Sequence, residues 1–238
     1  MYFSIEPKTK RSDLFGMNYQ LDLLKKYLLD RDTRIIIIKG LRRTGKTSLL
    51  NVALNEVNIE SVKIDVRDAP FYDRREFIIF LIKKIKERDS DLIRKIIKNI
   101  AGVKLEYKEV SIELIFNKEE NINLFFSSLN SELKRENKEI ILAFDEAQLL
   151  KAIDFDYFLA SIFDNYKNIK LLLTGSEIGL LDNLLGKLNY KAPLFGRAYL
   201  EIEIEKIKEE GVKEFLEEGF KQINKKIDFE ELREVIEN

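Results

Sequence analysis

Short apolar runs alternate along this chain with longer segments whose apolar positions recur every three or four residues. The runs Arg34–Lys39, Val62–Val66, Glu139–Asp145, Ile169–Thr174 and Tyr199–Ile204 read as strands. The segments Lys46–Val57, Arg74–Ile100 (broken near Asp89 and Ser90), Glu119–Arg135, Phe155–Tyr166 and Glu177–Leu185 read as amphipathic helices. Apolar strands alternating with helices predict an α/β fold: a parallel sheet covered on both faces. One stretch departs from the rhythm. "VKLEYKEVSIELIF", Val103–Phe116, has a period of two and predicts a hairpin or small strand insertion at about 103–117, within a core spanning 1–205. After Glu205 the pattern turns wholly helical, so 206–238 reads as the beginning of a helical lid domain, truncated at Asn238.

Composition narrows the chemistry. The 238 residues carry 41 basic and 42 acidic side chains, a net charge of -1 that gives no global attraction to nucleic acid or an anionic membrane. With no cysteine and no histidine, thiolate metal sites, histidine zinc sites and Ser-His-Asp triads are excluded. Catalysis must run on carboxylates, Lys, Arg, hydroxyls or a bound metal ion. Abundant Lys, Glu and Ile with two Met and three Pro resembles a hyperthermophile composition, although AT-rich genomes produce the same bias. The longest purely apolar run, Phe77–Ile82, is far short of the ~20 residues of a membrane span. The first residues show no signal-peptide apolar region, so the chain reads as cytoplasmic with no membrane partner.

Candidate chemistry begins in "RIIIIKGLRRTGKTSLL", Arg34–Leu50. Gly40–Thr47 matches G-x-x-x-x-G-K-[ST], the phosphate-binding P-loop. The strand fixes the loop's root, the glycines let amides turn inward as an anion nest, and the following helix presents its free N-terminal amides. Gly40, Arg43, Thr44, Gly45, Lys46, Thr47 and Ser48 are therefore the candidate nucleotide-binding residues. Lys46 would reach the β- and γ-phosphates, and the Thr47 hydroxyl would ligate Mg²⁺. By average usage the four fixed positions coincide by chance in roughly 1% of chains this long, and the flanking strand and helix lower that further. Arg42 and Arg43 either contact phosphate or stay solvated.

"EIILAFDEAQ", Glu139–Gln148, is an apolar strand ending in two acids, the Walker B pattern. Asp145 would hold Mg²⁺ through water, and Glu146 would act as the base that polarises the attacking water. At the end of the next strand, "LLLTGSE" offers Thr174 or Ser176 as a polar group facing the γ-phosphate, where a plain Thr-Gly turn is the alternative. Before the last strand, Arg197 of "PLFGRA" reads either as an arginine finger or as a solvated or locally paired loop charge.

Taken together, "DLFGMNYQLDLL", the P-loop, "KIDVRD", "LAFDEAQ", "LLLTGSEIG" and "PLFGRA" resemble the archaeal ATPase family, related to the AAA+ proteins and STAND NTPases. The resemblance covers nearly the whole chain, to about residue 220. It implies a P-loop NTPase with a five-stranded parallel sheet in the order 5-1-4-3-2, the fourth strand inserted between the first and third. Thr174 or Ser176 then takes the sensor 1 position and Arg197 the arginine-finger position, and Leu14, Phe15 and Gly16 pack against adenine. Met17 and Asn18 stand where the family usually carries a charged pair after that glycine. No N-K-x-D guanine motif is present, so ATP is the expected nucleotide.

The reading this supports is a Mg²⁺-dependent ATPase acting as a nucleotide-driven conformational switch, binding ATP and ADP. Its partner would be another protein or a second copy of itself. Two alternatives stand beside it: a DNA-handling ATPase like the replication loaders, with DNA reached through a missing C-terminal region, and a nucleotide-gated interaction module that does not hydrolyse.

Overall fold

The computed structural model describes residues 1–69, 73–88, 96, 115–116 and 118–225. Five strands form one parallel sheet: β1 (Ile35–Gly40), β2 (Glu60–Asp65), β3 (Ile140–Asp145), β4 (Ile169–Gly175) and β5 (Leu200–Ile204). Their order, β2-β3-β4-β1-β5, is the expected 5-1-4-3-2 arrangement read from the other edge. Seven helices are described: α1 (Asn18–Leu29), α2 (Lys46–Glu56), α3 (Arg74–Arg88), α4 (Glu119–Arg135), α5 (Asp156–Asn165), α6 (Ile178–Leu185) and α7 (Glu209–Gln222).

The central strands are apolar throughout because the sheet is buried on both faces, and successive side chains divide between two cores. Ile36 and Ile38 of β1 join Ala143 and Leu172 beneath α1 and α2, packing on Leu21, Leu24, Leu28, Leu49 and Val52. Ile35 and Ile37 point the other way, to Phe144 and Leu173 and the helices α3 to α6, which contribute Phe77, Phe126, Leu159 and Leu184. On this face Phe77 meets Phe155 edge-to-face at 4.7 Å, a geometry that satisfies the ring quadrupoles.

Register aligns the strand tips at one edge. Asp65 of β2 lies opposite Asp145 of β3, Phe144 opposite Leu173, and Ile38 of β1 opposite Thr174. Every residue with expected phosphate chemistry except Arg197 leaves the sheet at this edge. At the other edge the buried Lys170 ties the sheet to the end of α1, donating to Leu28 O at 2.6 Å and Asp30 O at 2.9 Å.

One helix is added to the expected elements, and two expected segments are described only in part. Helix α1 is an addition, its buried Leu21, Leu24 and Leu28 at helical spacing. Helix α3 is described to Arg88, and most of the remainder of the expected Arg74–Ile100 segment lies outside the described residues. Of the hairpin expected over Val103–Phe116, only Ile115 and Phe116 are described: Ile115 is helical and Phe116 sits in a turn, both buried. Among the described residues no helix is long and apolar enough to cross a membrane.

Candidate nucleotide site

The β1 strand ends at Gly40, and a side chain there is sterically barred: a Cβ would stand 2.5 Å from the Ile204 carbonyl oxygen of β5. Beyond it the loop folds around two left-handed residues, Arg43 (φ 64°) and Gly45 (φ 89°). Alternating right- and left-handed backbone aims successive amides into one concavity, the geometry of an anion nest. Helix α2 starts at Lys46, so its N-terminal amides add to the same field.

Lys46 is only 5% exposed. Its Nζ donates to Gly40 O at 2.9 Å and Leu41 O at 2.6 Å, two of the three donors an ammonium has. Burial pushes this ammonium below the ordinary lysine range, against the opposing pull of Glu146 and Asp145. A lysine held this way gains most from a phosphate that restores its lost solvation.

Asp145 joins three elements. It accepts Thr47 Oγ1 from α2 at 2.7 Å and Thr174 Oγ1 from β4, and its carboxylate is almost wholly buried. The next residue, Glu146, has a left-handed backbone (φ 56°), a conformation costing about 1–2 kcal/mol for a residue with a Cβ. The turn carries its side chain out of the strand's register, so the two neighbouring acids do different things. Glu146 Oε2 accepts Gln148 Nε2 at 2.8 Å and Ser176 Oγ at 2.7 Å. Its amide donates to Thr174 Oγ1 at 3.4 Å. Burial raises the Glu146 carboxyl, but the two hydrogen bonds and the charges of Lys46 and Arg67 outweigh it, leaving it below the ordinary glutamate range.

Arg42, Arg43, Gly45, Lys46, Thr47, Ser48 and Glu146 line one recess of ≈ 660 Å³. Thr44 and Arg43 reach an adjoining recess of ≈ 450 Å³ together with Leu14, Phe15, Met17, Ile207 and Phe215. Phe15 sits there edge-to-face with Tyr2 at 5.5 Å and with Phe215 of α7 at 5.3 Å. Gly16 supplies a left-handed turn (φ 66°) and lines a neighbouring hollow with Leu14 and Phe15. A slot of this chemistry suits a flat aromatic base beside a phosphate nest.

Arg197 is placed elsewhere. It precedes β5, whose first residue pairs with Ile36 near the start of β1, so it stands at the sheet edge opposite the P-loop. Its guanidinium donates to Asp164 at the end of α5 (Nε to Oδ1 at 3.0 Å, Nη2 to Oδ2) and to the Pro193 carbonyl. The chain does not bring Arg197 to its own phosphate recess.

Four contributors had no role assigned from sequence: Gln148, Arg67, Tyr2 and Phe215. Gln148 stood in the quoted "LAFDEAQ" and Arg67 in "KIDVRD", but an amide and a charge beyond a strand carry no periodic signal.

A five-stranded parallel sheet of this order, with a glycine-rich loop leaving its first strand and paired acids ending the third, defines a P-loop nucleotide-binding ATPase domain. The family described as an ATPase domain predominantly from Archaea matches residues 18–237, and the chain belongs to it. An ATP-binding protein of Methanocaldococcus jannaschii is 33% identical over 144 residues, covering 53% of this chain and 37% of the relative, so the chain spans just over a third of that protein's length. Among solved structures, the Walker-type ATPase of Pyrococcus abyssi is 29% identical with a TM-score of 0.73, over 100% of this chain and 67% of that one. The ORC2 protein of Aeropyrum pernix, solved as ADPNP-ADP complexes, superposes with a TM-score of 0.59 over 93% of this chain and 54% of its own; at 13% identity it shows the fold alone.

Proposed function

We propose that this chain hydrolyses Mg·ATP and that the cycle drives a conformational switch. The observation that carries the reading is the linked set Lys46, Thr47, Asp145, Thr174, Glu146 and Ser176, joined by hydrogen bonds and charges, of which Lys46, Thr47 and Glu146 line one recess.

Lys46 serves as the point charge on the β/γ-phosphates, and the nest of Gly40 to Ser48 holds the remaining oxygens. The donor set suits magnesium held chiefly by phosphate and water: one hydroxyl, Thr47, and one buried carboxylate, Asp145, stand 2.7 Å apart. Among the described residues no cluster of three or more acids could hold an ion without the nucleotide. When bound, the ion would neutralise charge on the β/γ oxygens. Thr174 fixes the Asp145 carboxylate, while Gln148 and Ser176 hold one oxygen of Glu146 and leave its other to face a water. With its pKa lowered, Glu146 is ionised at neutral pH and ready to take that water's proton.

Coupling to a switch is supported by the lid side of the pocket, where α7 forms part of the proposed lid domain. Tyr2 stacks on Phe215 at 5.6 Å, and Phe3 meets Phe215 and Phe220 at 5.7 and 5.1 Å. Lys8 N donates to Ser48 Oγ at 3.0 Å, so the same N-terminal segment touches the P-loop helix. A nucleotide that moves Phe15 or Ser48 moves α7. Arg197 is assigned to a second copy's γ-phosphate, consistent with its place away from this chain's own recess. The DNA-handling alternative draws only on the fold shared with the ORC-type structure and on no feature of this chain's charge.

Calorimetric titration of Mg·ATP into wild-type protein and Lys46→Ala tests the binding half. Tight binding lost in the variant is the expected outcome; equal affinities would remove the P-loop from the mechanism.

A further inference from the structure

Resting on the ATPase reading above, we propose that Arg67 is a catalytic residue of the same site: an arginine supplied in cis that leaves Asp65 to grip the γ-phosphate of bound ATP. Arg67 sits in the short 3-10 turn Val66–Asp68 directly after β2, and buried Val66 anchors that turn in the core. Because Asp65 is in register with Asp145, the turn emerges beside the Asp145–Glu146 pair. Arg67 lines the same recess as Lys46, Thr47 and Glu146.

The other cations lining that recess approach differently. Arg42, Arg43 and Lys46 belong to the phosphate loop itself, and Lys8 Nζ donates to Met1 O and Ser4 O. Arg67 comes from the β2 side, beyond Glu146, where the γ-phosphate and its attacking water would lie. Its present partner is one it can leave. The Arg67 side chain is 50% exposed, so water solvates the guanidinium as it exchanges the bidentate Asp65 contact for another anion. Asp65 Oδ1 also accepts the Arg67 backbone N–H at 3.0 Å, so the turn keeps its cap when the guanidinium departs. The planar fork that now spans both Asp65 oxygens matches two phosphate oxygens equally well.

In the step this serves, the water oxygen bonds to Pγ as the bond from Pγ to the β–γ bridging oxygen breaks. The electron pair leaves with ADP and the water proton passes to Glu146. Charge grows on the bridging and γ oxygens, where a cis guanidinium stabilises the transition state. ADP lacks the γ-phosphate, so Arg67 stays on Asp65 in the ADP state, and the side chain distinguishes the two nucleotides.

The test measures turnover at saturating Mg·ATP and low protein concentration for wild type, Arg67→Gln and Arg67→Lys. It adds dissociation constants for ADP and, in a Glu146→Gln background, for ATP, with thermal melts confirming folded protein. The expected loss of turnover in Arg67→Gln is on the order of 10²-fold or more, with ADP affinity unchanged, ATP affinity reduced and only partial recovery in Arg67→Lys. Wild-type turnover in Arg67→Gln, or ADP affinity falling as far as ATP affinity, would overturn the assignment while leaving the ATPase reading in place. A wild-type protein that binds no ATP would overturn both.

Discussion

Thr47 Oγ1 donates to Asp145 Oδ2 at 2.7 Å, joining residues 98 positions apart in the sequence. The bond brings the hydroxyl at the start of α2 and the carboxylate at the end of β3 to one point, and β4 reaches the same carboxylate through Thr174. The metal-holding and water-activating halves of the proposed site are therefore one hydrogen-bonded unit, and substitutions within it have separable signatures.

Thr174→Val keeps the shape of the side chain and removes a hydroxyl donor from a buried carboxylate. Loss of a partner to a buried polar group costs about 1–3 kcal/mol, so the urea midpoint should fall while the unfolding slope stays constant. An unchanged midpoint would mean that Thr174 does not support Asp145. Hydrolysis should fall as well, because Glu146 loses the hydroxyl that its amide reaches.

Gly40→Ala places a methyl 2.5 Å from the Ile204 carbonyl, on backbone that cannot rotate away. Edge strand β5 must shift, at a cost of about 1–3 kcal/mol, typical of overpacking. A melt equal to wild type would contradict the close approach of β1 and β5.

The pH dependence follows from the two donors on Glu146. A general base works only when ionised, and this carboxyl titrates below the ordinary value of 4.5. The part of the acid limb of kcat/KM that this carboxyl sets should therefore lie below the ordinary glutamate range. Gln148→Ala or Ser176→Ala removes a hydrogen bond that stabilises the charged form, so the acid limb of kcat/KM should move to higher pH. A limb that does not move would show that neither side chain tunes the base.

Arg197 predicts a concentration effect. It is held by Asp164 at the far edge of the sheet, and the proposed finger role therefore places it on another molecule's nucleotide. Turnover per molecule should rise with protein concentration, and Arg197→Ala should erase the rise with little loss of ATP affinity. The rise can reach roughly 10³-fold for a full arginine finger. Turnover independent of concentration, with a normal Arg197→Ala rate, would leave this arginine as a partner of Asp164 alone.

The fold was legible in the sequence to the extent that its strands are buried on both faces: Ile35–Ile38 and Leu171–Leu173 are continuous apolar runs with one interpretation. Helix α1 was not legible, although Leu21, Leu24 and Leu28 have helical spacing, because the exposed apolar residues Tyr19 and Leu29 blur its buried face. Gly40 to Ser48, Asp145, Glu146 and Thr174 were legible because a phosphate nest and a metal carboxylate need particular residue types at strand ends. The aromatic wall was not. Tyr2 and Phe215 lie at opposite ends of the chain and meet only through tertiary packing. Arg67 was likewise invisible, since a charge two residues past a strand looks like any solvated turn until register sets it beside Glu146.

The central claim is that Glu146 activates the water that attacks ATP. Glu146→Gln preserves shape and the capacity to bond Ser176 while removing the proton acceptor, so single-turnover hydrolysis of Mg·ATP by enzyme in excess isolates the chemical step. The account predicts ATP affinity close to wild type and a hydrolysis rate lower by on the order of 10²-fold or more. A single-turnover rate equal to wild type, with ATP bound, would contradict it.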